Sequence, residues 1–129
     1  YLIEQGFEVV DFGTGKPEPV DYPDFACPVA EEVSSGKLAR GILVCGSGVG
    51  MVIAANKFPA VRAVLGFDEE TARMSRLHNN SNILVLAGRR TDKETANRII
   101  GTWLTTPFEG GRHQNRLDKI AAIERRFSR

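Results

Sequence analysis

Short apolar runs alternate with helical patterns along this chain, and that alternation limits the folds available to it. Runs rich in β-branched and aromatic residues predict strands at residues 7–12, 41–45, 61–65 and 83–87. Apolar residues at helical spacing predict helices at residues 25–36, 51–57, 68–77, 96–104 and 112–126. Proline and turn residues predict a loop at 13–24, Asp68 can cap the helix that it begins, and residues 91–94 predict a capping box. Strands that alternate with helices form βαβ units, in which helices cover both faces of a parallel sheet. The sequence therefore predicts an α/β protein.

The start of the chain bears on how complete the predicted sheet is. We expect a Rossmann-like three-layer sandwich with a mainly parallel sheet, built as one domain over residues 1–129. Residues 1–6 resemble the end of a helix, because Gly6 tolerates the positive φ that closes one, and a helix this short does not stand alone. We therefore expect an N-terminally truncated domain, whose parent protein has five strands and whose first strand is absent from this chain.

Composition disfavours several kinds of partner. The net charge of +1 gives no general attraction to nucleic acid or to a membrane surface. No apolar run reaches the roughly 20 residues that cross a bilayer. The two cysteines, Cys27 and Cys45, are too few for a disulfide framework, and no secretory leader is visible. We expect a cytoplasmic protein with neither nucleic acid nor a membrane as partner.

The loop after the predicted strand 41–45 carries the strongest local signal of function. Three glycines fall within Gly46–Gly50, between a strand and a helix, so that backbone N–H groups can close around an anion. The alternative is a tight turn without a ligand. A dinucleotide site is disfavoured because G-x-G-x-x-G requires glycine where Met51 stands, although Asp68 lies at a suitable distance for a ribose contact.

Several reactive or charged side chains stand near the ends of predicted elements, and ligands bind at the carboxyl ends of parallel strands. Cys45 ends a strand that we expect to be central, as either a small buried residue or a thiol facing the ligand. His78 and Asn79 close a helix, where a histidine can instead serve the helix terminus. Arg112 and Arg116 share a helical face and could hold one phosphate, unless they form a solvated charged surface.

Four separated motifs together resemble the B-type ribose-5-phosphate isomerases, and the likeness runs over essentially the whole chain. The motifs are Cys45–Met51 with Ile53–Lys57, Asp21–Pro23, Arg73–Asn79 and Thr106–His113. The resemblance implies interconversion of ribose 5-phosphate and ribulose 5-phosphate through an enediolate, a step of the pentose phosphate pathway. It also implies a homodimer or a tetramer with the active site between subunits, and no cofactor.

The same resemblance assigns roles to residues of this chain. It implies that Cys45 is the base, Ser47 a hydroxyl near the substrate and His78 the group that opens the furanose ring. It implies that the substrate-binding residues are Tyr22, Gly46, Gly48, Val49, Gly50, Asn79, Arg89, Arg112 and Arg116, with the arginines holding the phosphate. The family begins with a strand ending in an Asp-His pair that this chain lacks, so activity of the chain as it stands is left open.

Two other functions remain open at the level of the sequence. One is isomerisation of a six-carbon sugar phosphate, such as allose 6-phosphate or galactose 6-phosphate, since pocket depth cannot be read from these residues. The other is a non-catalytic module that binds a sugar phosphate. We expect no metal, because the two histidines, His78 and His113, lie far apart in the sequence and indicate no cluster of metal ligands.

Overall fold

The computed structural model describes residues 1–13 and 21–128, and in this part of the chain a parallel sheet is flanked by helices. The strands are β1 (Gly41–Cys45), β2 (Ala63–Leu65) and β3 (Ile83–Ala87). The helices are α1 (Pro23–Ser34), α2 (Val49–Ala55), α3 (Glu69–Asn79), α4 (Lys93–Thr105) and α5 (Arg112–Phe127). Both strand pairings are parallel, in the order β1–β3–β2. The predicted Rossmann-like α/β fold is confirmed.

Helices cover both faces of the sheet because successive side chains of a strand point to opposite sides. Ile83 and Val85 of β3 pack with residues of α1 and α2. Leu84 and Leu86 pack on the other side, with residues of α3 and α4 that include the fully buried Trp103. All five residues of β3 are buried, as in a strand covered on both faces. The result is the predicted three-layer sandwich.

The elements begin and end within a few residues of the predicted positions. α1 begins at Pro23, inside the segment 13–24 predicted as a loop, since proline suits the first turn of a helix, where its missing N–H group is not needed. Residues 14–20 of that segment lie outside the described part of the chain. Residues 2–6 form hydrogen-bonded turns that close as a helix end does, as predicted. Gly6 has a φ of +87°, its N–H group donates to the Ile3 carbonyl at 3.0 Å, and that of Phe7 donates to the Leu2 carbonyl at 3.1 Å.

The strand predicted at residues 7–12 is wrong. This segment has no regular secondary structure, and it lines, together with β1, a cavity of about 450 Å³. Strand pairing needs a neighbouring backbone about 4.8 Å away, and the segment forms no ladder with the described strands. The described sheet thus has three strands instead of the four predicted within this chain, and β1 is one of its edge strands rather than a central strand.

Aspartate side chains cap the two helices on one face of the sheet. The predicted cap of α3 is confirmed, since the carboxylate of Asp68 accepts a hydrogen bond from the N–H group of Thr71 at 2.7 Å. The capping box predicted at residues 91–94 is wrong by one position, because Asp92 is the N-cap of α4 and accepts from the N–H group of Thr95 at 2.8 Å. These bonds lower the pKa of both carboxyl groups.

None of the described helices is long and apolar enough to span a bilayer.

Candidate active site

The carboxyl edge of the sheet brings two loops together. Cys45, the last residue of β1, is in register with Ala87, the last residue of β3. Hydrogen bonding continues beyond the strands, because the N–H group of Gly88 donates to the Cys45 carbonyl at 2.7 Å and that of Arg89 donates to the Gly46 carbonyl at 3.2 Å. The loops that follow β1 and β3 are therefore fixed against each other, and the prediction that Cys45 lies at a carboxyl end is confirmed.

Gly48 shapes the loop that follows Cys45. It is the N-cap of α2 in the left-handed region, with a φ of +80°, and a Cβ atom at this position would lie 2.4 Å from Cδ1 of Leu65. Its N–H group donates to the Cys45 sulfur at 3.1 Å. Positive φ and close packing together require glycine here. The resulting turn supplies the thiol with a backbone donor, an interaction that is stronger when the acceptor is charged.

Tyr22 and Arg89 enclose this loop from two sides. The ring of Tyr22 lies so close to Gly50 that a Cβ atom there would be 2.4 Å from its Cζ atom. The side chain of Arg89 covers Gly46, where a Cβ atom would be 2.9 Å from Nε. Six of the predicted substrate-binding residues and two of the predicted catalytic residues thus share the carboxyl edge. We call this group the carboxyl-edge cluster: Tyr22, Cys45, Gly46, Ser47, Gly48, Val49, Gly50 and Arg89.

Replacing Gly48 with alanine should lower the free energy of unfolding by more than the strain of a positive φ alone. Left-handed geometry costs a non-glycine residue roughly 1–2 kcal/mol, and the clash with Leu65 adds to it. Gly36→Ala is the matched control, because Gly36 has a φ of +84° with nothing within 4 Å of an added Cβ atom. Urea denaturation of the two variants measures the difference. Equal losses would mean that the loop relaxes around the extra methyl group.

His78 lies in a second group, with a partner that the sequence did not single out. In the last turn of α3, its ring stacks on that of His113, with centroids 4.3 Å apart and an interplanar angle of 20°. Glu109 Oε1 lies 3.8 Å from Nε2 of His113. The expectation that the histidines form no cluster, drawn from their sequence separation, was wrong. No spacing in the sequence signals this cluster, because His78 and His113 belong to different helices and Glu109 precedes α5.

Arg76 holds the end of α3 against the connection between α4 and α5. Its buried guanidinium donates to the carbonyl oxygens of Thr106 and Ser81 and to the side chain of Asn80. Burial, aided by repulsion from other arginines, lowers its pKa to about 10, so it stays charged at neutral pH. The N–H group of Glu109 adds a bond to the carbonyl of Leu77 at 3.0 Å. These contacts place His78 beside the start of α5.

Acidification should weaken the fold through His113. Burial lowers the pKa of this imidazole below its usual 6.5, repulsion from His78, Arg112 and Arg116 lowers it further, and Glu109 opposes the shift. The unfolded chain therefore binds the proton on His113 more readily than the folded chain does. The contribution of the neutral imidazole to the free energy of unfolding is fully present above about pH 6.5 and is lost as the pH falls through the folded pKa.

Urea unfolding at about pH 7.5 and about pH 5.5 measures this effect. In His113→Gln the drop in the free energy of unfolding between the two values should be smaller than in the wild type. An unchanged drop would assign the acid sensitivity to other groups.

The second group stands at the opposite edge of the sheet from Cys45. α3 starts after the carboxyl end of β2 and ends just before the amino end of β3, where α5 also begins. We call the group the amino-edge cluster: His78, Asn79, Glu109, Arg112, His113 and Arg116. The five residues of β3 separate the two edges by about 13 Å at roughly 3.3 Å per step. One chain thus does not bring His78 and Asn79 to its own Cys45.

Comparisons with known proteins agree with this architecture. A family model described as Ribose/Galactose Isomerase matches residues 1–120. The ribose-5-phosphate isomerase B of Escherichia coli is 47% identical over 126 residues, which cover 98% of this chain and 85% of the relative. A structure of ribose-5-phosphate isomerase B from Clostridium thermocellum matches with a TM-score of 0.96 and 50% identity, over 98% of this chain and 86% of that one.

A third similarity concerns a structure with a ligand. The ribose-5-phosphate isomerase B of Mycoplasma genitalium, solved with bound ribulose-5-phosphate, matches with a TM-score of 0.93 and 43% identity, over 96% of this chain and 83% of that one. The family match thus spans nearly the whole sequence, and relatives and solved structures agree with it. The chain belongs to the ribose/galactose isomerase family.

Proposed function

We propose that the protein interconverts ribose 5-phosphate and ribulose 5-phosphate, with Cys45 as the base that moves the proton between C1 and C2. The observation that carries this proposal is the Cys45 thiol at the carboxyl edge of the sheet, with the N–H group of Gly48 donating to its sulfur. The similar proteins named ribose-5-phosphate isomerase B support the choice of a five-carbon substrate.

The chemistry of the reaction fits a thiolate beside backbone donors. The thiolate takes the proton from C2 of the open-chain aldose, and the electron pair forms a C1–C2 double bond while O1 becomes an oxyanion. A proton passes from O2 to O1, and the thiol returns its own proton to C1. N–H groups of residues 46–50 stabilise the enediolate, a type of contact typically worth about 3–4 kcal/mol per donor. Ser47 offers a hydroxyl close to the same atoms.

The remaining residues bind the sugar and its phosphate. Tyr22 lines the sugar pocket beside the loop, His78 opens the furanose ring and Asn79 contacts the hydroxyl groups. Arg112 and Arg116 are exposed at the start of α5, one helical turn apart, and guanidinium groups suit a phosphate dianion because they donate paired bonds. Arg89 belongs to the carboxyl-edge cluster, whereas Arg112 and Arg116 belong to the amino-edge cluster. The three arginines can therefore bind one phosphate only when Arg89 comes from a different chain.

A complete active site needs both clusters, and one chain does not bring them together. The proposed function therefore requires a homodimer or a larger assembly that contains it. A two-fold interface places the carboxyl-edge cluster of each subunit against the amino-edge cluster of its partner, which completes two equivalent sites. The exposed side of α5 carries Ile120, Ile123 and Phe127, which are 53%, 59% and 72% exposed in the isolated chain. An apolar stripe of this kind favours burial between subunits.

Mixing two inactive variants tests both the roles and the assembly. Cys45→Ala and His78→Ala should each be inactive alone. In a co-expressed mixture, the heterodimer pairs the intact Cys45 of one chain with the intact His78 of the other, and statistics then restore about a quarter of wild-type turnover.

A third combination controls for nonspecific stabilisation. The double variant, mixed equally with the wild type, should give only the roughly one quarter of wild-type turnover that wild-type pairs contribute, because its heterodimers contain no complete site. Absence of restoration in the first mixture, despite heterodimers seen by native mass spectrometry, would place both residues in one chain's site and overturn the composite arrangement.

A further inference from the structure

A buried nitrogen atom in the amino-edge cluster has chemistry that the proposed reaction does not use. Nε2 of His113 is buried and has no hydrogen-bond partner among the residues that the structure describes, although the residue is only 3% exposed. Buried polar atoms are normally satisfied, so an orphan of this kind indicates a missing partner. An imidazole in its neutral form keeps a lone pair on one ring nitrogen, which can bind a metal ion.

Two further ligand atoms lie close to this ring. His78, Glu109 and His113 each offer one nitrogen or oxygen atom, and these atoms all lie within 4.8 Å of one another. Tetrahedral zinc needs its ligand atoms about 3.3 Å apart, given metal–ligand bonds of roughly 2.0–2.2 Å. Glu109 is half exposed and His78 partly so, which leaves both free to close this gap by rotating, while His113 stays fixed.

We propose that His78, Glu109 and His113 form a binding site for a divalent transition-metal ion, represented by zinc, at the amino edge of the sheet. Two imidazoles and one carboxylate suit zinc better than magnesium or calcium, which prefer oxygen ligands only. The three residues leave a fourth coordination position for water. Arg112 and Arg116 repel a cation, so we expect them to weaken the binding of the metal ion.

Metal binding would control the reaction, and this part of the inference rests on the proposed function. A metal ion bound to His78 occupies the lone pair of its imidazole, so the ring can no longer accept a proton when the furanose ring opens. Zinc should therefore inhibit turnover, and a chelator should restore it. The metal is an inhibitor in this scheme, so its removal leaves the isomerase active.

Zinc affinity of the intact protein, measured by competition with a chromophoric chelator, tests the site. We expect one zinc ion per chain, and binding at least about tenfold weaker in both Glu109→Gln and His113→Gln, since each removes a direct ligand. Glu109 is half exposed, so its variant avoids the folding defect that a buried substitution risks. Glu70→Gln is the control, because this exposed α3 residue contacts Arg73 and lies outside the cluster; its zinc affinity should not change.

Cysteine is the main competing ligand, so the titration is repeated in Cys45→Ser, which should bind zinc as tightly as the wild type. Equal affinity in the wild type, Glu109→Gln and His113→Gln would overturn the site, as would loss of binding in Cys45→Ser alone. If zinc binds through these residues without inhibiting the isomerase, the metal site stands and the ring-opening role of His78 fails.

Discussion

Cys45→Ala is expected to lower kcat by roughly 10²- to 10⁴-fold, the range that a positioned base contributes, while KM changes little. The thiolate acts on a C–H bond and enters the transition state, so its loss falls on the chemical step more than on binding. Steady-state kinetics with ribose 5-phosphate measure both constants. Because Cys45 is only partly buried at the end of an edge strand, the substitution should leave the fold intact.

Cys27→Ala is the matched control for this experiment. Cys27 is also a free, partly buried thiol, but it lies in α1, away from the strand ends. Its variant should keep wild-type kcat and lose the same number of reactive thiols. If Cys45→Ala retains most of the wild-type kcat, another residue is the base and the proposed mechanism is wrong.

Local patterns predicted the parts of the fold that depend on local forces. Residues 83–87 form the predicted strand because a continuous apolar run fits a position covered on both faces, and Asp68 caps α3 because its side chain reaches the first turn unaided. Residues 7–12 have an equally strong strand composition. They form no strand, because pairing requires a neighbouring backbone, and this segment lines a cavity together with β1 instead.

The sequence also located Cys45, since an apolar run followed by glycines marks a strand end whatever its neighbours are. The grouping of the other residues depends on chain direction. His78 precedes a strand whereas Cys45 ends one, and in a parallel sheet this order alone puts them on opposite edges. The contact between His78 and His113 depends on how α5 returns to α3, a tertiary packing that no spacing in the sequence encodes.

The two arginines at the start of α5 provide a test of substrate chemistry that is separate from catalysis. Arg112→Ala or Arg116→Ala should raise KM for ribose 5-phosphate about 10- to 100-fold, because a charge-assisted hydrogen bond contributes about 1.5–3 kcal/mol. Both side chains are exposed, so neither substitution opens a cavity in the core. Arg125→Ala, in the exposed last turn of the same helix, is the matched control and should leave KM unchanged.

Unphosphorylated ribose separates phosphate binding from a general loss of structure. Ribose has no phosphate group for the arginines to bind, so its slow isomerisation should change little in either variant. The kcat/KM for ribose 5-phosphate should fall strongly. The ratio of kcat/KM for the two substrates is therefore the quantity to compare, since it cancels any shared loss of folded or assembled protein. Equal losses on both substrates would show that Arg112 and Arg116 support the fold or the subunit interface, and the phosphate assignment would then be withdrawn.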